Sequence, residues 1–393
     1  MGTEDRTSVG IGVVGFPYVR DEYFAVFRHW PEPDAIRFLL PRRWTAKGGK
    51  VVYQAPDDSR VTAVRAYFDR YHHDVPVIGG LMKGWMPSFP IWLWRNRAGI
   101  DVVYACSEPI LLVTLYYALF TKLLRRKLVL FSWENISYKS KLRGLSYIVH
   151  VMLLRLNLWL ADGLICGNSK SVGVHREYSA VPMSIVPMNG LDPERFRPNA
   201  GGGHYPELEM KTVYLYAGAI GYRKGIHVLL DAFKKILGDV PEAHLVIAGS
   251  GEYEKEIEER IDGLGLRKHV TRFPWLSHHE LIRLMSVADV FVYPSIPHSG
   301  WEEQFGYSMA EASLMELPVV STETGSIADV VRDGETGILV PPDDVGSLSD
   351  AMTKLGLDRD LRMTMGRAGR RFISESFSHA SVARKMYDFM TTL

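Results

Sequence analysis

Two glutamates, Glu303 and Glu311, flank a glycine in the stretch PSIPHSGWEEQFGYSMAEASLMELP, residues Pro294–Pro318. At 1.5 Å per helical residue the pair spans about 12 Å at most, comparable with the reach from a ribose to a sugar across a diphosphate. Gly306 between them lets a ligand approach the backbone closely. The run turns helical around Ser308–Met315, so the amides of Gln304, Phe305, Gly306 and Tyr307 fall at a helix start. Phosphate and sugar oxygens are held well there. A second stretch, Gly218-Ala219-Ile220-Gly221-Tyr222-Arg223-Lys224-Gly225, follows the strand-like VYLYA and precedes a helical pattern. Arg223 and Lys224 at a helix N-terminus can neutralise a diphosphate. Taken alone, two such glutamates also fit solvated helix positions, and two such cations also fit plain surface charge.

These residues need elements to position them, and the chain supplies an alternation. Val9–Val14, Ala35–Leu40, Val51–Tyr53, Val102–Ala105, Leu128–Phe131 and Gly163–Cys166 read as short strands bounded by turn residues. Thr212–Ala217, His244–Ala248, Val270–Phe273, Val290–Tyr293, Pro318–Ser321 and Gly337–Val340 read the same way. Helical patterns such as His227–Leu237 and Tyr253–Leu264 lie between them, which predicts parallel sheets flanked by helices. Ser277 and Glu280 fit a capping box before LIRLM. The Pro- and Gly-rich Arg197–Leu208 reads as a linker between two α/β series. The prediction is two doubly wound, Rossmann-like domains facing each other across a cleft, with boundaries at 1–200 and 201–377. In such sheets ligands bind outside the carboxyl ends of strands.

The whole string around Glu303 resembles the E-x7-E signature of the retaining glycosyltransferases of family 4, which have the GT-B fold. Glu303 matches the first glutamate, Phe305-Gly306 the following pair, and Glu311-Ala312 the pair in the helix. The resemblance implies that Glu311 holds the ribose of a donor nucleotide, while Glu303 and the amides of Gln304–Gly306 hold the donor sugar. Lys224 and Gly225 match the family's G-R-x-x-x-x-K-G, but Ala219 stands where the arginine belongs, so Arg223 is the candidate to carry that charge. Val186–Pro198 resembles the family's hinge, with Asn189, Gly190, Asp192 and Phe196 in register. The last helix, residues 378–393, resembles the segment that returns to the first domain. Gly249-Ser250-Gly251 lacks the third glycine of a dinucleotide fingerprint.

By analogy the first half takes the acceptor. Gly15 after the first strand is a donor-side candidate, though the double glycine of many relatives is missing. Glu108 follows the strand DVVYA and is an acceptor-side candidate. Glu134 and Asn135 follow LVLFS, where relatives place a polar residue near the reacting carbon. The implied reaction moves a sugar from a UDP- or GDP-sugar to a hydroxyl, with retention of anomeric configuration and without a metal or other cofactor. Two rivals use the same architecture: a non-catalytic nucleotide-sugar-binding partner of another transferase, and a nucleotide-sugar epimerase.

Composition bounds the partners. The 393 residues are 47% hydrophobic and 23% charged, which excludes disorder, collagen-like repeats and a coiled coil. Residues 1–200 carry 26 Lys and Arg against 17 Asp and Glu, whereas the rest carries 20 against 28. A basic half draws anionic partners, and with no nucleic-acid motif present the expected ones are an anionic membrane surface and a lipid-linked or cell-envelope glycan precursor. Ile110–Phe120 and Leu145–Ile165 are apolar but interrupted by charge, so both predict packed helices rather than spans. Two cysteines, Cys106 and Cys166, and the polar start MGTEDRTS fit a cytoplasmic protein, peripheral on the inner membrane face. His72-His73 and His278-His279 lack a third ligand at metal-site spacing and read as solvated or capping.

Overall fold

Runs of apolar and β-branched residues form the strands, and the two sides of each sheet are covered by helices. The structure is a computed structural model that describes residues 8–46, 51–69, 78–198, 203–240 and 242–393. Within these the strands in chain order are β1 (Ile11–Val14), β2 (Ile36–Pro41), β3 (Arg43–Thr45), β4 (Val52–Gln54), β5 (Val61–Val64), β6 (Val102–Ala105), β7 (Lys127–Ser132), β8 (Gly163–Cys166) and β9 (Met183–Ile185), followed by β10 (Thr212–Ala217), β11 (Ala243–Ala248), β12 (Val270–Phe273), β13 (Val290–Tyr293), β14 (Val319–Thr322) and β15 (Gly337–Val340). The first sheet has the order β5-β2-β1-β6-β7-β8-β9 and the second β12-β11-β10-β13-β14-β15. Every pairing in both sheets is parallel. Central strands such as β1, β6, β11 and β13 are buried along their whole length, as parallel strands covered on both faces must be.

The chain divides into two compact units, Met1–Gly190 with His379–Leu393, and Leu191–Ser378. The division thus falls inside the stretch Val186–Pro198, ahead of the Pro- and Gly-rich residues expected to link the domains at residue 200. His72-His73 lie outside the described residues.

In the first unit, the returning helix His379–Thr391 is held by Val382, Ala383, Met386 and Met390, buried in one core with Tyr18, Phe27 and Trp30. The other face of the sheet is covered by the helices Phe89–Asn96, Leu112–Leu123 and Gly144–Leu160. The run Val51–Tyr53, read as part of the parallel series, instead forms β4 of a separate antiparallel pair with β3. Its connection to β3 is too short for a parallel crossover, which needs roughly a dozen residues. Three strands escaped the sequence reading: β3, β5 and β9. All are short, and β5 and β9 are half-exposed edges. Both cysteines are free and buried, and burial pushes each thiol up to about 12.

Candidate functional site

In the second unit, three loops at the carboxyl ends of β10, β11 and β13 pack backbone against backbone. A Cβ on Gly249 would lie 1.8 Å from the Gly218 carbonyl oxygen, and one on Gly225 would lie 1.9 Å from that of Pro294. Ile296 N–H donates to the Arg223 carbonyl at 2.9 Å, tying the loop after β13 to the turn after β10. Gly225 adopts φ +66° at the start of the helix Ile226–Ile236, a conformation that disfavours any side chain. Arg223 and Lys224 therefore sit on a short 3-10 turn held in place by its neighbours' backbones.

That turn delivers Lys224 to Glu303. The ammonium donates to Glu303 Oε2 at 2.6 Å and also to the Tyr293 hydroxyl. Lys224 is 6% exposed and Glu303 8%, so this is a buried ion pair. Ser295 Oγ adds a donor to the same carboxylate oxygen at 3.3 Å. Burial pulls the Lys224 ammonium below its usual range, and the Glu303 charge opposes that pull. Burial likewise raises the Tyr293 phenol well above its ordinary value, with the Glu303 charge adding to the rise. The Tyr216 phenol beside it is raised for the same two reasons, and its ring stacks on Tyr293 at 5.6 Å. Arg223 lies flat over Trp301, its guanidinium carbon 3.5 Å from the ring centroid. Its Nη1 is buried and has no hydrogen-bond partner among the described residues. A buried donor left in this state is poised for an anionic acceptor.

Glu303 is fixed from behind as well. Ser326 N–H donates to its carbonyl at 2.8 Å, and Gly325, at φ +59°, approaches so closely that a Cβ there would lie 2.0 Å from that oxygen. Gly306 then takes φ +82° and opens the helix Tyr307–Leu314. Gly306, as its N-cap, offers no side chain, and the first turn holds no acidic residue, so the positive end of the helix dipole meets no opposite charge from that turn. Phe305 is buried edge-on against Phe377 at 5.1 Å, which anchors the loop. Gln304 and Tyr307 are half-buried beside it. Glu311 lies one to two turns into the helix, and His278 Nε2 stands 3.7 Å from its Oε1. His278 leads the helix His278–Met285, whose Ser277–Glu280 capping box is formed as expected. Of the pair His278-His279, expected to be solvated or capping, His278 faces Glu311.

The structure thus brings Lys224, Arg223, Glu303 and Gly306 together, with Gly218 in the adjoining loop. Sequence reasoning missed Tyr293, Ser295 and Trp301, which complete their surroundings. The available signal was positional, since all three follow or end the strand DVFVY.

The remaining candidates belong to the first unit. Gly15 follows β1 with φ +149°, and a Cβ there would press on the Cys106 carbonyl at 2.7 Å. Glu108 Oε2 accepts from Ser132 Oγ at 2.5 Å, and its Oε1 accepts from Trp133 N–H at 2.8 Å. Burial pushes its carboxyl up to about 7 against these hydrogen bonds. Glu134 is engaged by Lys141 at 2.7 Å and by the Ile136 amide at 3.1 Å. Asn135 is buried next to it. Among the described residues no group of three or more His, Cys, Asp or Glu is arranged to hold a metal ion.

Residues 204–372 match the model of the glycosyl transferases group 1. The chain is 31% identical over 208 residues to the GDP-mannose-dependent alpha-(1-6)-phosphatidylinositol monomannoside mannosyltransferase of Mycobacterium tuberculosis, covering 51% of this chain and 54% of that one. It is 30% identical over 158 residues to the alpha-D-kanosaminyltransferase of Streptomyces kanamyceticus, 40% of each chain. The chain spans about half the length of the curated relatives it matches. Among solved structures, a glycosyltransferase from Rickettsia africae superposes with a TM-score of 0.72 at 14% identity, covering 98% of both chains. The UDP complex of Anabaena HepE gives 0.70 at 16% identity, covering 98% of this chain and all of that one. The likeness to the glycosyl transferases group 1 thus covers residues 204–372, in a chain built of two Rossmann-like units.

Proposed function

We propose that the protein is a retaining glycosyltransferase of the family 4 kind, taking a sugar from a UDP- or GDP-sugar and passing it to a hydroxyl without a metal. The observation that carries this reading is the buried Lys224–Glu303 pair set directly before the Gly306-headed helix. Glu303 accepts hydroxyls of the donor sugar, Glu311 those of the ribose, and the helix end with Lys224 and Arg223 faces the diphosphate. In the first unit, Glu108, Glu134 and Asn135 are the acceptor-side candidates and Gly15 a donor-side candidate. Relatives named for GDP-mannose and for a phosphatidylinositol mannoside support a nucleotide-sugar donor and a lipid-linked or envelope glycan acceptor.

The bond from the sugar's anomeric carbon to the diphosphate breaks, and its electron pair leaves on the phosphate oxygen. Lys224, Arg223 and the helix dipole stabilise that growing charge, in the place where a metal serves other transferases. The acceptor oxygen bonds to the same face of the carbon, and its proton passes to the departing phosphate. A thermal-shift panel of nucleotide sugars tests the donor, because a ligand that binds only the folded state stabilises it in proportion to RT ln(1+[L]/Kd). The matching UDP- or GDP-sugar raises Tm, and the product formed from it with a lipid extract keeps the donor's anomeric configuration by NMR. A flat panel, or an inverted product, contradicts the reading. Binding without turnover in any acceptor extract supports the rival of a non-catalytic partner, which Ala219 in place of the family's arginine favours.

A further inference from the structure

Three neighbouring helices of the first unit are apolar on both sides. Phe89–Asn96 packs against Leu112–Leu123, which packs in turn against Gly144–Leu160. Their inner residues, among them Trp92, Leu93, Tyr117, Ala118, Leu154 and Leu158, share one core with the sheet. Their outer residues stay in solvent. On the longest helix Leu145, Ile148, Met152, Leu156 and Trp159 recur at spacings of three and four, so they line one stripe. Leu145 is 74% exposed and Trp159 78%. Leu119 and Leu123 continue the surface on the middle helix, and Ile91 and Trp94 on the first. Soluble monomers rarely leave so much contiguous apolar surface bare, and a patch of this kind marks a docking face.

Charge decides what docks there. None of the three helices contains an aspartate or a glutamate, whereas exposed Arg95 and Arg155 lie within them; Lys122 is neutralised by Asp162 at 2.5 Å. Exposed Arg97, Arg125 and Arg143 border them, and the Arg97 guanidinium covers the Trp94 ring at 4.6 Å. A two-fold contact with a second copy would set cation against cation across this face. An anionic surface meets it with the opposite sign. Basic helices carrying Trp and Leu lie in the plane of a bilayer interface, and no helix among the described residues is long and apolar enough to cross one.

The geometry points to this three-helix face as the seat of an anionic lipid surface, with Leu145, Ile148, Met152 and Trp159 entering the headgroup boundary. It deepens the lipid-linked acceptor reading and rests on that reading for its purpose, since it brings the first unit to acceptors held in the membrane. The test is co-sedimentation of the full chain with phosphatidylcholine vesicles containing phosphatidylglycerol, and with phosphatidylcholine alone. The protein pellets with the mixed vesicles, stays in solution with the neutral ones, and its tryptophan emission shifts to the blue on binding. The variant Ile148→Gln/Met152→Gln/Trp159→Gln weakens binding about tenfold or more. Because these side chains are already in water, its Tm stays near that of the wild type, and so does its thermal shift with the donor sugar. A protein that remains in solution with both vesicles overturns the proposal, as does equal binding to both or a triple variant that binds as well as the wild type. A dimer in sedimentation velocity that the triple variant dissociates also overturns it, in favour of a second copy. If the vesicles bind but no nucleotide sugar shifts Tm, the donor reading falls and the lipid face stands.

Discussion

Lys224 and Glu303 neutralise each other in a site that almost excludes water, so removing one leaves the other charged and unpaired. That loss costs about 3–5 kcal/mol, whereas replacing both partners by uncharged groups is close to neutral. Lys224→Met should therefore lower Tm markedly, and Lys224→Met/Glu303→Gln should recover most of it. Both variants should lose roughly 100-fold or more in kcat, because the charge facing the leaving group is gone in each. Thermal melts beside turnover assays separate the two effects. A double variant that regained activity along with stability would show the pair to be structural only. Glu108 offers a pH test. Its folded carboxyl titrates near 7, above the ordinary value of 4.5, so the folded state binds the proton more tightly than the unfolded chain. Its contribution to stability is fully present below the unfolded value and is lost as pH rises towards 7, by an amount on the order of a few kcal/mol. Glu108→Gln, scanned by Tm from pH 4 to 8 (about the range these values bracket), should flatten that decline, and an unchanged slope would contradict the assignment.

Elements explain why these residues meet. Gly225 and Gly249 admit no side chain because carbonyl oxygens of neighbouring loops occupy the space. Gly225→Ala should destabilise by more than about 1 kcal/mol and weaken donor binding, since its φ and its contact with Pro294 both oppose a Cβ. Gly173→Ala is the control. It lies within the helix Ser169–Arg176 with nothing near its Cβ position, and should gain about 0.5–1 kcal/mol by urea melts. Most of these elements were legible. The strands β6, β8, β10, β12, β13 and β15 match their expected bounds end to end, and the Ser277 capping box is plain in its residue types. What escaped lacks a local signal. β5 and β9 are edge strands whose placement comes from pairing with β2 and β8 rather than from their own hydrophobicity. Tyr293 and Trp301 join Lys224 through loops far apart in sequence, a proximity that no spacing rule contains. Helix Gly144–Leu160 could be read as a packed helix, but its bare outer stripe shows only once the inner face is assigned.

At the scale of the whole molecule, the parallel sheets put the candidate residues in segments that follow the carboxyl ends of strands, where doubly wound folds bind their ligands. Residues 1–200 are basic and the rest more acidic, so an anionic donor in the second unit depends on local cations rather than on that unit's overall charge. The second unit should thus hold the donor through four of its charged groups, Lys224, Arg223, Glu303 and Glu311. In a mutant series, Glu311→Ala should raise the donor KM at least about tenfold with a smaller change in kcat, while Glu303→Gln should chiefly lower kcat. Reversed effects would exchange the two roles. The most direct measurement is a crystal structure of the protein with the nucleotide sugar selected by the thermal-shift panel. The account predicts sugar hydroxyls on the Glu303 carboxylate, ribose hydroxyls on Glu311, and the diphosphate between Lys224, Arg223 and the amides at Gly306. A donor bound elsewhere, with the Lys224–Glu303 pair untouched, would contradict it.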